Sequence, residues 1–333
     1  MNLLVNEEIS PPPGIISSLK AGFDITANQI GIIILPVLLD VFLWLGPQLR
    51  IEKLLRLLLA QFSSLASENL IPAAELQRMQ EIMNELLTTN INLYSVLRTL
   101  PIGVSSLMGL SIPGKTPLAE PNVQQVETAF SFFLWIGVLT FVGWVLGSFY
   151  FAWVAKVSLQ NENHNLPWFG KVILQAILLS MLWVIVLITF GVPLLLVFSI
   201  FMQINASLAQ VALIFSALFA MWIIVPIFFS AHGIFVKREN LFRSMISSFN
   251  LSRFTLPTSS FFVICVVVLS QGFNILWLTP STSSWMMGIS ILGHAFITTS
   301  LLAASFIYYR DMNTWLETLL EKLNAKKATS TQA

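Results

Sequence analysis

The chain has 333 residues, of which 56% are hydrophobic and only 10% charged, with a formal net charge of +1 and a mean hydropathy of +0.80. Soluble domains carry roughly 25% charged residues, so a soluble enzyme is excluded, and the near-neutral balance leaves no basic footprint for nucleic acid. A single cysteine, Cys265, excludes an internal disulfide, and 3 His exclude a His-rich metal centre.

Glu7 and Glu8 stand where a secretory signal would be basic, and Pro11, Pro12 and Pro13 predict a stiff, extended lead-in. The first apolar run, 30–45, is interrupted by Pro36 and Asp40. It is shorter than the roughly 20 residues that a span requires. Recruiting residues from about Phe23 completes a span, with a re-entrant helix as the alternative. Residues 1–46 thus form an N-terminal segment with one short span.

After Gly46-Pro47, residues 49–65 read as a leucine-rich helix at headgroup level. Its cations Arg50, Lys53 and Arg56 recur every third residue, toward lipid phosphates. Pro72 opens a second amphipathic helix with Leu76, Met79, Met83 and Leu86 along its apolar stripe. Gly and Pro punctuate 101–121, which predicts an ordered loop packed on a surface or a partly inserted hairpin. Residues 47–128 are therefore an amphipathic helical insertion ending in a Pro/Gly loop.

Residues 129–312 read as a five-helix membrane body with apolar runs at 129–157, 172–201, 208–235, 261–278 and 286–309. The fold class expected is all-α: a polytopic membrane protein of about six transmembrane helices with amphipathic interfacial helices. Most Lys and Arg then fall on one side, among them Lys156, Lys171, Lys237, Arg238, Arg243, Arg253 and Arg310. The positive-inside rule places both termini in the cytoplasm. Arg50, Lys53 and Arg56 dissent, because they follow the first span on the outer side; a re-entrant first segment would move the insertion inside. Residues 313–333 read as an amphipathic C-terminal helix with a disordered tail from Lys326.

Asp40 is the most expensive side chain to place in lipid, and either serves ion or proton coupling in a carrier, lies close enough to the interface to be hydrated, or hydrogen-bonds another span. His232 and His294 are expected as helix-packing groups, since no metal-ligand spacing accompanies them. Gln175, Gln271 and Asn274 are polar at membrane depth, the last two on one helical face. Gly143 and Gly147 permit a close helix contact, within the bundle or with a second copy. No nucleophile elbow or phosphate loop occurs, so no catalytic residue, metal or cofactor is expected.

Between two spans, Leu241, Met245, Phe249 and Phe254 alternate with Arg243 and Arg253 in an amphipathic helix that Pro257 is expected to end. Lys237, Arg238, Arg243 and Arg253 face lipid headgroups in this reading. Here Ser248-Phe249-Asn250-Leu251-Ser252-Arg253, together with Tyr308-Tyr309-Arg310-Asp311-Met312, resembles the membrane domain associated with glycerophosphodiester phosphodiesterases and related bacterial polytopic proteins. The resemblance covers at most 129–312 and implies about six spans in a bacterial plasma membrane. Catalysis in the fusions belongs to a soluble domain without counterpart in this sequence, so no catalytic residue carries over, and 51–128 departs from the family pattern. The function expected is non-catalytic: scaffolding, assembly or binding of membrane lipids and of a protein partner or second copy. The alternatives are a transporter or permease component with a polar site at Asp40 or Gln271/Asn274, and, last, a membrane enzyme acting on lipid.

Overall fold

A computed structural model describes residues 11–67, 73–89, 91–110, 114–159 and 166–331. The chain is a mostly α-helical, multi-pass membrane protein. Its helices are α1 (Ile15–Asn28), α2 (Ile34–Leu45), α3 (Glu52–Ser67), α4 (Ala73–Thr88), α5 (Ala129–Leu159), α6 (Leu166–Val186), α7 (Val192–Ile204), α8 (Ala206–Val236), α9 (Leu241–Trp277) and α10 (Met286–Thr331). Among the described residues four helical stretches are long and apolar enough to cross a membrane: Ala129–Leu159, Gly170–Ile204, Leu241–Trp277 and Met286–Asn324. The α1–α2 pair makes a fifth if its two arms, bent by 95°, are one broken span. In α8 the stretches Ser207–Ser216 and Trp222–Val236 are also apolar and helical.

The chain divides into two compact units, neither continuous in sequence. In the unit formed by 1–29, 151–269 and 299–333, small residues let helices approach closely. Ser18, Gly22 and Thr26 form the buried face of α1. A Cβ on Gly22 would collide with the Ser300 carbonyl and with Ala304 of α10. Lipid tails are as apolar as leucine, so contacts of this kind hold membrane helices together through packing rather than dehydration. Aromatic rings fill the rest of this core. Phe262 stacks on Tyr308 at 4.0 Å between centroids, and Phe229 stacks on both Tyr308 and Tyr309.

In the second unit, 30–150 with 270–298, a small parallel sheet pairs β1 (Gln48–Arg50) with β2 (Val123–Gln125). An antiparallel bridge from Arg50 to Asn92 adds a third strand-like contact, and Asn92 Oδ1 accepts from Leu49 N and Tyr94 N. The basic helix expected from Leu49 therefore begins only at Glu52: the backbone groups of 48–50 are spent on β2, which removes Arg50 from the helical row of Lys53 and Arg56. α3 and α4 pack on each other, with Leu76, Met79, Met83 and Leu86 half-buried.

Two further boundaries differ from expectation. Pro257 lies inside α9 rather than at its end. Proline removes one N–H and so frees the Arg253 carbonyl, a single bond lost from a helix of 37 residues that continues on both sides of it. Beyond Lys326 the backbone remains helical to Thr331, since neither Gly nor Pro follows Gly293 to stop α10. Pro193 is accommodated differently, by a π turn over Leu187–Gly191 that joins α6 to α7.

Candidate functional site

Asp40 lies on α2 with its side chain fully buried. Its carboxylate accepts from Ser106 Oγ at 2.5 Å, Met108 N at 2.9 Å and Leu107 N at 3.1 Å. Ser106 Oγ in turn accepts from Gly109 N. A buried carboxylate is tolerable only when its lone pairs are filled, and here the loop at 106–109 fills them. Burial lowers the Arg98 guanidinium from its ordinary value, and the Asp40 charge opposes that fall. The side chain thus fastens the Pro/Gly loop to the first apolar segment.

The same loop explains the glycine pair on α5. A Cβ on Gly143 would strike Leu97 and Thr99, and one on Gly147 would strike Gly103 and Ile102. The glycines receive the loop 97–103, not another span. Ile102, Val104, Leu107 and Met108 of the loop are buried beside them.

His232 is 2% exposed, with Nδ1 2.9 Å from the Phe228 carbonyl and Nε2 2.7 Å from Ser305 Oγ. A carbonyl only accepts, so Nδ1 donates to Phe228, while Ser305 Oγ lies within hydrogen-bond distance of both Nε2 and the Leu302 carbonyl, at 2.7 and 2.6 Å. Gln175 Oε1 accepts from Leu241 N at 2.7 Å and so caps the first turn of α9. Asn274 Nδ2 donates to Gln271 Oε1 at 3.4 Å; Asn274 is buried and Gln271 exposed. His294 is buried in the unit that holds Asp40, and neither ring nitrogen has a hydrogen-bond partner among the described residues. Asp40 and His232 are thus each engaged with partners other than one another or His294, and no group of three or more His, Cys, Asp or Glu suited to a metal ion occurs among the described residues.

The basic candidates separate into two kinds. Arg50 pairs with Glu52 at 2.9 Å and Lys53 with Glu127 at 2.6 Å, while Arg56 and Arg253 are exposed. The remaining ones gather at the α8–α9 connection, where a cleft of about 360 Å³ opens. Lys237 and Glu239 enter it from the connection, Arg243, Ser247 and Asn250 from α9, and Asn313 and Glu317 from α10. Lys237 Nζ bonds Glu317 Oε1 at 3.0 Å. Arg238, between the two connection residues, has φ of 56°, a left-handed conformation that ordinarily favours glycine. It turns the chain just past the end of α8, where Lys237 N and Glu239 N both reach the Gly233 carbonyl.

Glu239 Oε2 is buried without a hydrogen-bond partner and packs against Gly233. Burial pushes its pKa above the ordinary value; Lys237, Ser247 and Arg243 oppose this, and Glu317 adds to it. Beside the cleft an apolar groove of about 410 Å³ runs along α8 between Trp222 and Ser230, closed by Trp183 on α6 and by Met245, Ile246 and Phe249 on α9. Ile246 borders both spaces.

Lys237, Arg238 and Arg243 were legible as headgroup candidates because cations stand out in an apolar chain. Glu239 was overlooked although it is adjacent, and Glu317 and Asn313 reach the cleft only through the fold. Comparison with protein-family models, with curated proteins and with solved structures finds no match to this chain.

Proposed function

We propose that this chain is a non-catalytic integral membrane protein that binds and organises membrane lipid, with a protein partner or second copy held in the same assembly. One observation carries the reading: the charged cleft at the α8–α9 connection adjoins an apolar groove, and together they follow the polarity profile of a phospholipid. The exposed apolar side chains Phe242, Ile246 and Phe249 flank it on α9.

The topology belonging to this proposal has six spans: the four long apolar stretches, α8, and the bent α1–α2 pair, with both termini in the cytoplasm of a bacterial plasma membrane. The resemblance to the phosphodiesterase-associated membrane domain is part of the same proposal. It gains support from packing, since Leu251 of the first motif and Tyr308, Tyr309 and Met312 of the second share one core cluster. The transport reading has less support: Asp40 is saturated by the 106–108 loop, and neither it nor the Gln271/Asn274 pair lines the cleft or the groove.

Purification of the full chain in mild detergent followed by native mass spectrometry tests the proposal. Retained phospholipid or a stoichiometric protein partner is the expected result. A bare monomer with neither would overturn it.

A further inference from the structure

The cleft at the α8–α9 connection presents two cations and two carboxylates: Lys237 and Arg243 against Glu239 and Glu317. A ligand of matching charge must be neutral overall while carrying both signs, because either sign alone would meet a like charge at short range. Lys237 and Glu317 already satisfy one another. The groups left over are the Arg243 guanidinium, which has no ion-pair partner among the described residues, and the buried, unpartnered Oε2 of Glu239. Guanidinium matches a phosphodiester through paired N–H donors, and a carboxylate oxygen matches an N–H-bearing ammonium.

The apolar groove adds the second half of the ligand. It begins at Ser230, six residues before the end of α8 at Val236, and reaches back to Trp222. At 1.5 Å per residue that is roughly 12 Å of helix, directed away from the charged connection and along an apolar stretch. Its wall is almost entirely carbon: Trp183, Pro226, Ile227, Met245 and Phe249. Headgroup-level charge and acyl-level groove meet at Ile246.

Resting on the lipid-binding reading above, we infer that this site selects a zwitterionic aminophospholipid, with its phosphate on Arg243, its primary ammonium on Glu239 and one acyl chain in the groove between α8 and α9. Primary ammonium is specified because Glu239 Oε2 requires an N–H donor, which a quaternary headgroup cannot offer.

The test uses the full chain reconstituted in nanodiscs containing equal amounts of phosphatidylethanolamine, phosphatidylcholine and phosphatidylglycerol. Lipid bound after ejection is quantified by native mass spectrometry. Phosphatidylethanolamine should be enriched about tenfold over the other two, the loss of one charge-assisted hydrogen bond being of that order. Glu239→Gln should abolish the enrichment of phosphatidylethanolamine over the other two lipids, and Arg243→Gln should reduce all phospholipids alike. Soluble glycerophosphoethanolamine, which lacks acyl chains, should fail to displace the bound lipid. Bound lipid without ethanolamine preference would overturn the inference and leave the lipid-binding reading standing, whereas the absence of any bound lipid or partner would remove both. Equal displacement by the soluble headgroup would overturn the role of the groove. The lipid series on the unmodified chain decides the outcome should either variant fail to fold.

Discussion

At the scale of single residues, scarcity makes a side chain easy to notice and leaves its role undecided. Asp40 was conspicuous because a carboxylate amid leucine demands an explanation. Its partners, a hydroxyl and two backbone N–H groups from 106–108, are 66 to 68 residues away and carry no sequence signature of acceptance. Asp40→Leu should lower stability by about 3 kcal/mol, since it strands three buried donors. Thermal unfolding of the detergent-solubilised protein reads this as a lower midpoint, and an unchanged midpoint would refute the anchoring role. Glu239 makes a different prediction. Its folded-state pKa is raised, so the folded chain holds a proton between the ordinary carboxylate range and the raised value. Stability from this group is greatest below that window and declines as pH rises through it. Ammonium binding needs the ionised form and runs the opposite way, rising through the same window. Lys237, Arg243, Ser247 and Glu317 are the groups that face Glu239 and set the position of the window. A pH series of phosphatidylethanolamine retention should therefore show a transition above the usual glutamate range, and Glu239→Gln should flatten it.

At the scale of elements, apolar length was readable and boundaries were not. The long stretches of α5, α9 and α10 follow directly from sustained hydropathy. What hid from the sequence were the continuities: α9 runs through Pro257, and α10 runs from the last apolar segment into its polar C-terminal half without interruption. In both cases a local rule about breakers and polarity yielded to the continuity of the helix on either side. The two short strands escaped because each has three residues and their pairing joins positions 75 apart in register. The glycine pair illustrates how a spacing can be informative about closeness and silent about the neighbour. Gly147→Ala should cost about 1–3 kcal/mol, because the added methyl meets the backbone of Gly103, which cannot rotate away as a side chain would. Gly137→Ala, with open space around its Cα, should be neutral in the same melting experiment.

At the scale of the whole molecule, the proposed topology of six spans with both termini inside puts the 47–128 insertion outside. The lone Cys265 makes this directly measurable. On a Cys265→Ala background, Gln80→Cys in α4 should react with a membrane-impermeant maleimide in intact cells. Lys322→Cys in α10 should react only after permeabilisation. The reverse pattern, Lys322→Cys reacting in intact cells and Gln80→Cys only after permeabilisation, would mean that the bent α1–α2 pair turns back on the side from which it entered; reaction of both only after permeabilisation would mean that an even number of crossings separates them, so that one of the five is not a span. The composition that excluded a soluble protein is spread over the two compact units by the fold, and some of its scarce charge gathers in a cleft of mixed sign at the α8–α9 connection.

The antiparallel bridge between Arg50 and Asn92 has a consequence for how this chain tolerates change. It brings the two roots of the α3–α4 excursion side by side, so the excursion leaves and re-enters the fold at one point. Lengthening or shortening a loop so rooted alters closure entropy only slowly with its length. The helical pair is therefore a cassette, and a rigid carrier protein spliced between α3 and α4 would ride on it without disturbing the Asp40 anchor, giving imaging a handle outside the lipid.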